Sequence, residues 1–113
     1  MEYININQVT NLTFYQVPKV LFKGQYKSMS NNARITYSAL RDRMDLSIKN
    51  NWYDEEGNVF IYYSRENLAE DLGISKRSVI TYMKELSKLE LIQEKQQGIN
   101  KPKRKLKNYQ FKK

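Results

Sequence analysis

Three consecutive residues, Gly73-Ile74-Ser75, divide a long stretch of helical pattern into two pieces. Glycine suits the left-handed conformation just past a helix end, and serine is a preferred N-terminal cap for the next helix. The spacing predicts one short helix capped by Ser64, and a second that begins at Lys76 and runs to about Leu89. Two such helices around a tight turn lie about 90–120° apart. The sequence therefore predicts a helix-turn-helix.

Apolar residues recur at helical spacing in both predicted helices. A small residue at position 69 lets the second helix approach the first closely, and Val79 then fixes the two together. The predicted inner positions of the two helices are Leu68, Ala69, Leu72, Val79, Met83 and Leu86.

The outer side of the predicted second helix is polar, and two cations stand at its start. Lys76 and Arg77 lie where the helix dipole is already positive, so they oppose it unless an external anion compensates. A nucleic-acid phosphate is the obvious candidate for that anion. The N-terminal half of the second helix is the part that reaches base edges in helix-turn-helix docking. The guanidinium fork of Arg77 matches two acceptors of guanine in the major groove.

We assign two roles to these outer residues. The candidates for reading bases are Arg77, Lys76, Thr81 and Ser78. Lys76 and Ser78 also suit phosphate oxygens, and Thr81 suits either a thymine methyl group or a phosphate. The candidates for the DNA backbone on this helix are Ser75 and Lys84. The alternative is that two helices around a glycine belong to a bundle with no role in DNA binding.

A predicted wing follows the second helix. The segment LIQEK reads as a strand, QQGINKP as a loop, and the remainder as a possible returning strand. Cations in such a loop contact phosphates or an adjacent minor groove, and a solvated charge run is the alternative reading. The candidate wing contacts are Lys101, Lys103 and Arg104. The predicted fold class is α+β, mainly α: a winged helix-turn-helix with a small antiparallel wing sheet.

The N-terminal half reads as an arm, a short apolar segment, one long helix and a strand. Residues 1–12 are polar and are expected to form a flexible arm. A long helix capped by Ser30 is expected to end at Asn50-Asn51, with its inner face including Ile35, Tyr37, Leu40, Met44, Leu46 and Ile48. The segment YDEEGNV predicts a turn, and residues 59–63 predict a strand.

The segment FYQVPKVLF is apolar, and it packs inward or contacts a partner chain. We take it as the candidate dimer element. Its candidate interface residues are Phe14, Val17, Val20, Leu21 and Phe22.

Composition limits the function classes. The 113 residues suggest one domain, which we place at residues 13–111, with 112–113 as the start of a basic linker. Residues 101–113 carry seven cations and no acid, which suits a polyanion. The absence of cysteine and histidine removes thiolate sites and the commonest general base and metal ligand. We therefore expect no enzyme activity, no metal and no cofactor. The sequence contains no run of about 18 apolar residues, so we expect no membrane span, and we expect a location in the bacterial cytoplasm.

Four blocks of the chain resemble a known family, the N-terminal domain of RepA_N-type replication initiators of Gram-positive plasmids. The blocks are FYQVPKVLF, YKSMSNNARITYSALRDRMDLSIKNNW, YDEEGNVFIYY and QGINKPKR, in the family's order. The resemblance implies a winged-helix domain that binds repeated sequences (iterons) in a plasmid origin as a homodimer. It also implies a C-terminal domain, outside this chain, that recruits host replication proteins.

Three function classes remain open on sequence grounds. The first is sequence-specific binding of double-stranded DNA to initiate plasmid replication. The second is a winged-helix transcription regulator at a promoter, which needs the same groove contacts. The third is a winged helix that binds protein or RNA and shows no preference for a particular duplex. A nicking enzyme is disfavoured, because the usual histidine-bound metal site cannot be built.

Overall fold

A computed structural model describes residues 2–7, 13–95 and 106–111 of the chain. Two short 3-10 turns, Lys19–Phe22 and Gly24–Tyr26, precede the first helix. The regular elements are α1 (Asn31–Asp42), α2 (Met44–Lys49), β1 (Phe60–Ser64), α3 (Arg65–Leu72), α4 (Lys76–Lys88), β2 (Ile92–Lys95) and β3 (Leu106–Phe111). No helix within these described ranges is long and apolar enough to cross a membrane.

The three strands form one antiparallel sheet with the order β1-β3-β2. The register places Tyr109 of β3 opposite Ile61 of β1 on one side and opposite Glu94 of β2 on the other. The two strands predicted for the wing, β2 and β3, therefore pair with each other, and β1 adds a third strand beside β3. The predicted winged helix-turn-helix of α+β class is confirmed.

The core lies where α1, α3 and α4 pack against each other and against the sheet. Leu40, Ile61, Leu68, Val79 and Leu86 are all at most 1% exposed. Removing such side chains from water is the main stabilising contribution, about 1.5–3 kcal/mol for each large aliphatic residue. The predicted inner residues of α3 and α4 are buried, except Leu72, which is half-buried.

The predicted long helix from Ser30 to residue 49 is wrong in one respect, because the helix breaks at Arg43. Ser30 is the N-cap, as predicted, and its side chain accepts a hydrogen bond from the Ala33 amide. α1 therefore ends at Asp42 and α2 begins at Met44. Ile35, Leu46 and Ile48 were predicted to face inward, but they are 42%, 41% and 60% exposed. Small residues on α1 take the buried positions next to α4 instead, among them Ala33, Thr36 and Ala39.

The acidic turn before β1 has the predicted form. The Asp54 carboxylate accepts hydrogen bonds from the Glu56 and Asn58 amides at 3.0 and 2.9 Å, and Gly57 adopts a φ of +81°. A bridge between Tyr53 and residue 59 closes the turn. These carboxylates thus shape the backbone, and no metal-binding cluster of acids occurs in the ranges that the structure describes.

One residue of the candidate dimer element belongs to the core instead. Leu21 is 1% exposed and lies in the hydrophobic cluster, so its assignment to a partner contact is corrected. The buried Arg34 holds this segment in place. Its guanidinium donates to the Leu21 carbonyl at 2.8 Å and to the Tyr26 carbonyl at 3.1 Å, and it lies over the Phe22 ring. Leu21 faces inward because α1 fixes the backbone on either side of it.

Candidate nucleic-acid interface

The junction between α3 and α4 is a Schellman motif centred on Gly73. Its φ of +65° is left-handed, and the Ile74 amide donates to the Ala69 carbonyl at 3.0 Å across the turn. An added Cβ at position 73 would meet nothing within 4 Å, so the backbone angle, not space, requires glycine here. Ser64 caps α3 through the Asn67 amide at 2.9 Å. The turn predicted from Gly73-Ile74-Ser75 is therefore present as expected.

Ser75 caps α4 and has few hydrogen-bonding options left. Its hydroxyl oxygen accepts from the Ser78 amide at 3.0 Å, and its proton is donated to the Ser78 hydroxyl at 2.9 Å. The Ser78 hydroxyl accepts that bond and keeps its own proton for another acceptor. Of the two serines predicted to contact DNA, Ser78 thus has the free donor, while Ser75 shapes the helix start.

Two polar contacts fix α4 on α1. The Glu85 carboxylate accepts from the Ser30 amide and the Ser30 hydroxyl, both at 2.8 Å. The Asn32 side-chain amide donates to the Tyr82 hydroxyl at 2.9 Å. Neither contact could be inferred from the sequence, because the partners are 50 or more residues apart. Together with buried Val79, they set which side of α4 faces solvent.

That solvent-facing side of α4 is cationic. Its exposed residues are Lys76, Arg77, Thr81, Lys84, Ser87 and Lys88. Glu85 is the acid within α4, and its carboxylate is turned toward α1. We call this surface the basic face of α4. It brings together Lys76, Arg77, Thr81 and Lys84 of the candidates that the sequence placed on the helix, and adds Ser87 and Lys88. Of the other two candidates, Ser78 is half-buried and Ser75 is the N-cap.

The candidates on the basic face differ in whether their polar groups already have a partner within the domain. The Lys76 ammonium pairs with Glu66 of α3 at 2.7 Å, with both side chains about half exposed. Such surface pairs contribute little, so a phosphate can exchange for the carboxylate. Thr81 donates its hydroxyl proton to the Arg77 carbonyl at 3.1 Å, which leaves its methyl group as the natural contact with a base. Within residues 2–7, 13–95 and 106–111, Arg77 and Lys84 form no ion pair.

A group that sequence reasoning missed lies between α4 and the sheet. The Arg65 guanidinium is 3.5 Å from the Glu94 carboxylate, and the Tyr109 ring is buried beside them. Burial, together with the nearby Glu94 charge, raises the pKa of Tyr109 to about 12. These residues join α3, β2 and β3. A lone arginine beginning a helix gives no pattern from which this contact could be inferred.

A second missed cluster joins β1 to α3 on another side. The Tyr63 hydroxyl donates to the Asp71 carboxylate, and the Arg43 guanidinium lies 3.9 Å above the Tyr63 ring. Burial raises the pKa of Tyr63 well above its usual range, and the Asp71 carboxylate adds to this effect. The cluster holds the C-terminal end of α3, immediately before the Gly73 turn.

The wing candidates Lys101, Lys103 and Arg104 lie outside the described residues. Their roles therefore remain predictions.

The remaining dimer candidates are accessible. Phe14, Val20 and Phe22 are 70%, 57% and 50% exposed, and Val17 is half-buried. A groove of about 600 Å³ runs between this segment and the first two helices. Its lining includes Phe14, Val17, Pro18, Arg41, Met44 and Ile48.

Comparison with known families decides what kind of domain this is. Residues 13–113 match the RepA_N family, described as the N-terminus of replication initiator protein A (RepA). The chain belongs to the RepA_N family. It is also 31% identical over 101 residues to a 41 kDa protein of Lactobacillus helveticus, covering 88% of this chain. The chain spans only 29% of that relative's length.

Solved structures similar to this RepA_N domain cover nearly all of it. The N-terminal domain of a DNA binding protein matches with a TM-score of 0.78 and 38% identity, over 100% of this chain and 84% of that one. A Rep-DNA complex matches with a TM-score of 0.76 and 38% identity, over 99% and 84%. An MDR initiator matches with a TM-score of 0.73 and 36% identity, over 98% and 86%. The likeness covers the helix-turn-helix and the sheet together.

Proposed function

We propose that this domain binds double-stranded DNA in a sequence-specific manner, at repeated sites in a plasmid replication origin, and so initiates replication. The observation that carries the proposal is the basic face of α4, whose one acid, Glu85, is turned toward α1. Membership of the RepA_N family and similarity to a Rep-DNA complex support it.

The proposed contacts follow from the chemistry of each side chain. Arg77 reads a guanine, because its guanidinium is exposed near the start of α4 and offers a bidentate pair of donors. Thr81 contacts a thymine methyl group, and Ser78 and Lys76 add contacts to base edges or phosphates. Lys84 binds a phosphate. The wing cations at positions 101, 103 and 104 bind phosphates or the adjacent minor groove.

The assembly around this domain is part of the proposal. A homodimer, formed through Phe14, Val17, Val20 and Phe22, presents two copies of α4 to the origin. A C-terminal domain beyond this chain recruits host replication proteins in the bacterial cytoplasm. The domain itself marks the origin and breaks no covalent bond, since the chain contains neither histidine nor cysteine.

The test is selection from a pool of random duplexes, followed by sequencing and by titration at several salt concentrations. We expect enrichment of one motif, found repeated in a plasmid origin, with affinity that falls steeply as salt rises because counterions are released. Enrichment of a promoter operator would favour a transcription regulator instead. No enriched motif would contradict sequence-specific binding, and nicking of a supercoiled origin plasmid with Mg²⁺ would contradict the absence of catalysis.

A further inference from the structure

The residues between α4 and the sheet line a cleft of about 180 Å³. Arg65, the first residue of α3, contributes to it together with Glu94 of β2 and Tyr109 of β3. The α4 side of the cleft is formed by Ile80, Met83, Lys84 and Ser87. The cleft thus combines two cations, one carboxylate, two hydroxyl groups and an apolar wall.

The cleft adjoins the basic face of α4. Residues three and four apart are neighbours on a helix surface, so Arg77, Thr81 and Lys84 follow one another along one side. Lys84 also lines the cleft, which makes it common to both surfaces. A duplex that contacts Arg77 and Lys84 therefore lies next to this cleft.

The N–H donors of the Arg65 guanidinium are only partly satisfied in the structure. Its distance of 3.5 Å to Glu94 exceeds the 2.7–2.9 Å that is typical of a charge-assisted hydrogen bond. Its Nε–H is buried and has no hydrogen-bond partner among the described residues. A guanidinium carries five donors, and a buried donor without a partner is costly. The guanidinium also interacts with the Tyr109 hydroxyl, but an anion with several oxygens can satisfy the donors that this interaction and the long carboxylate contact leave over.

We propose that this cleft holds one phosphate of the DNA backbone, bound between the Arg65 guanidinium and the Lys84 ammonium, and that Glu94 competes with the phosphate for Arg65. The proposal rests on DNA binding by α4. It adds a contact to the DNA backbone from α3, outside the recognition helix and the wing loop. By competing for Arg65, Glu94 then lowers the affinity of the domain for every DNA sequence to the same extent.

The two readings of the Arg65–Glu94 pair predict opposite signs for one substitution. If the pair merely ties α3 to the sheet, Glu94→Gln leaves DNA affinity unchanged or weakens it. If Glu94 competes with a phosphate, Glu94→Gln strengthens binding, by about two- to fivefold, because the competing charge is gone. Glu90→Gln is the matched control, since it removes the same charge from an exposed side chain four positions earlier.

The experiment measures the affinity of the domain for a short mixed-sequence duplex by fluorescence anisotropy at several salt concentrations. The proteins are wild type, Glu94→Gln, Glu90→Gln, Arg65→Ala and the double variant Arg65→Ala/Glu94→Gln. We expect Arg65→Ala to weaken binding about tenfold and to lower the slope of log affinity against log salt by about 0.9, as for one lost phosphate contact. In the Arg65→Ala background, Glu94→Gln should give no further gain.

Each outcome of this experiment either supports or overturns the proposed phosphate site. A gain with Glu94→Gln that exceeds the Glu90→Gln control and vanishes without Arg65 supports the phosphate site. Weaker or unchanged binding by Glu94→Gln, in a domain with unaltered thermal unfolding, overturns the site while DNA binding stands. If the wild-type domain binds no duplex at low salt, the proposed function itself fails.

Discussion

At the scale of single residues, the first turns of α4 place an exposed arginine where a helix normally carries acids. Arg77 stands in the first turn, where the macrodipole is positive, and no acid lies in that turn. The position is therefore slightly unfavourable in the free domain, and an approaching DNA phosphate or base acceptor relieves it. The proposed contact of Arg77 with DNA would therefore account for an arginine that the helix dipole disfavours.

We expect Arg77→Ala to weaken binding to the selected duplex by about 1–3 kcal/mol and to relax the base preference at one position. Lys88→Ala is the control, because Lys88 is exposed on the same helix but lies in its last turn. It should weaken selected and random duplexes equally. Titration of both variants on matched and mismatched duplexes measures this, and unchanged discrimination by Arg77→Ala would remove Arg77 from the base-reading set.

Gly73, in contrast to Arg77, is required by the conformation of the backbone at the turn. Its φ of +65° is unfavourable for a residue with a Cβ, although there is open space around it. Gly73→Ala should therefore cost about 1 kcal/mol in the free energy of unfolding, measured by urea denaturation. Gly73→Asn should cost less, since asparagine tolerates the left-handed region better. Equal losses for both variants would contradict the conformational explanation.

At the scale of elements, the contact between the start of α1 and the third turn of α4 fixes the orientation of the recognition helix. The Ser30 hydroxyl accepts from the Ala33 amide and donates to Glu85, while its amide donates to Glu85 as well. One side chain thus caps α1 and ties it to α4. This explains why Glu85 does not dilute the positive charge of the basic face.

Ser30→Ala removes the cap and one charged hydrogen bond together. We expect it to lower the free energy of unfolding by about 2 kcal/mol. Ser28→Ala, at an exposed position two residues earlier, should change it by less than about 0.5 kcal/mol. Thermal and urea unfolding compare the two variants. If the loss in the free energy of unfolding were no larger than the roughly 1 kcal/mol of an ordinary N-cap substitution, the contact with Glu85 would add nothing to stability.

The elements also show what sequence alone could predict. The α3–turn–α4 unit was predictable because its signals are local: Ser64 and Ser75 as caps, Gly73 as the turn and Val79 within a clear stripe. The break at Arg43 was not, and neither was the packing of the Arg43 guanidinium on Tyr63, which is 20 residues away in the chain. The contacts of Arg65 and Glu85 depend on tertiary packing as well. The basic face of α4 could thus be predicted from the sequence. The cleft lined by Arg65 and the contact between Ser30 and Glu85 could not.

At the scale of the whole molecule, the charged and apolar surfaces lie on different elements. The basic face belongs to α4, while large exposed apolar side chains occur on the N-terminal segment and on α2, among them Phe14, Val20 and Ile48. Contiguous exposed apolar surface usually marks a binding site. If the proposed dimer forms there and leaves both copies of α4 free, the two copies can engage half-sites about 34–36 Å apart, or a multiple of that distance.

Phe14→Asp tests this arrangement, because Phe14 is 70% exposed and its loss should leave the fold intact. We expect the variant to be monomeric by analytical ultracentrifugation at concentrations where the wild type is dimeric. It should also lose affinity for a duplex with two sites while keeping its affinity for a single site, because only the linkage between the two binding events is removed.

Tyr53→Asp, which places the same charge on an exposed aromatic in the turn before β1, should remain dimeric. If Tyr53→Asp dissociated and Phe14→Asp did not, the interface would lie on the turn side of the domain, and the N-terminal segment would need another explanation for its exposed aromatic residues.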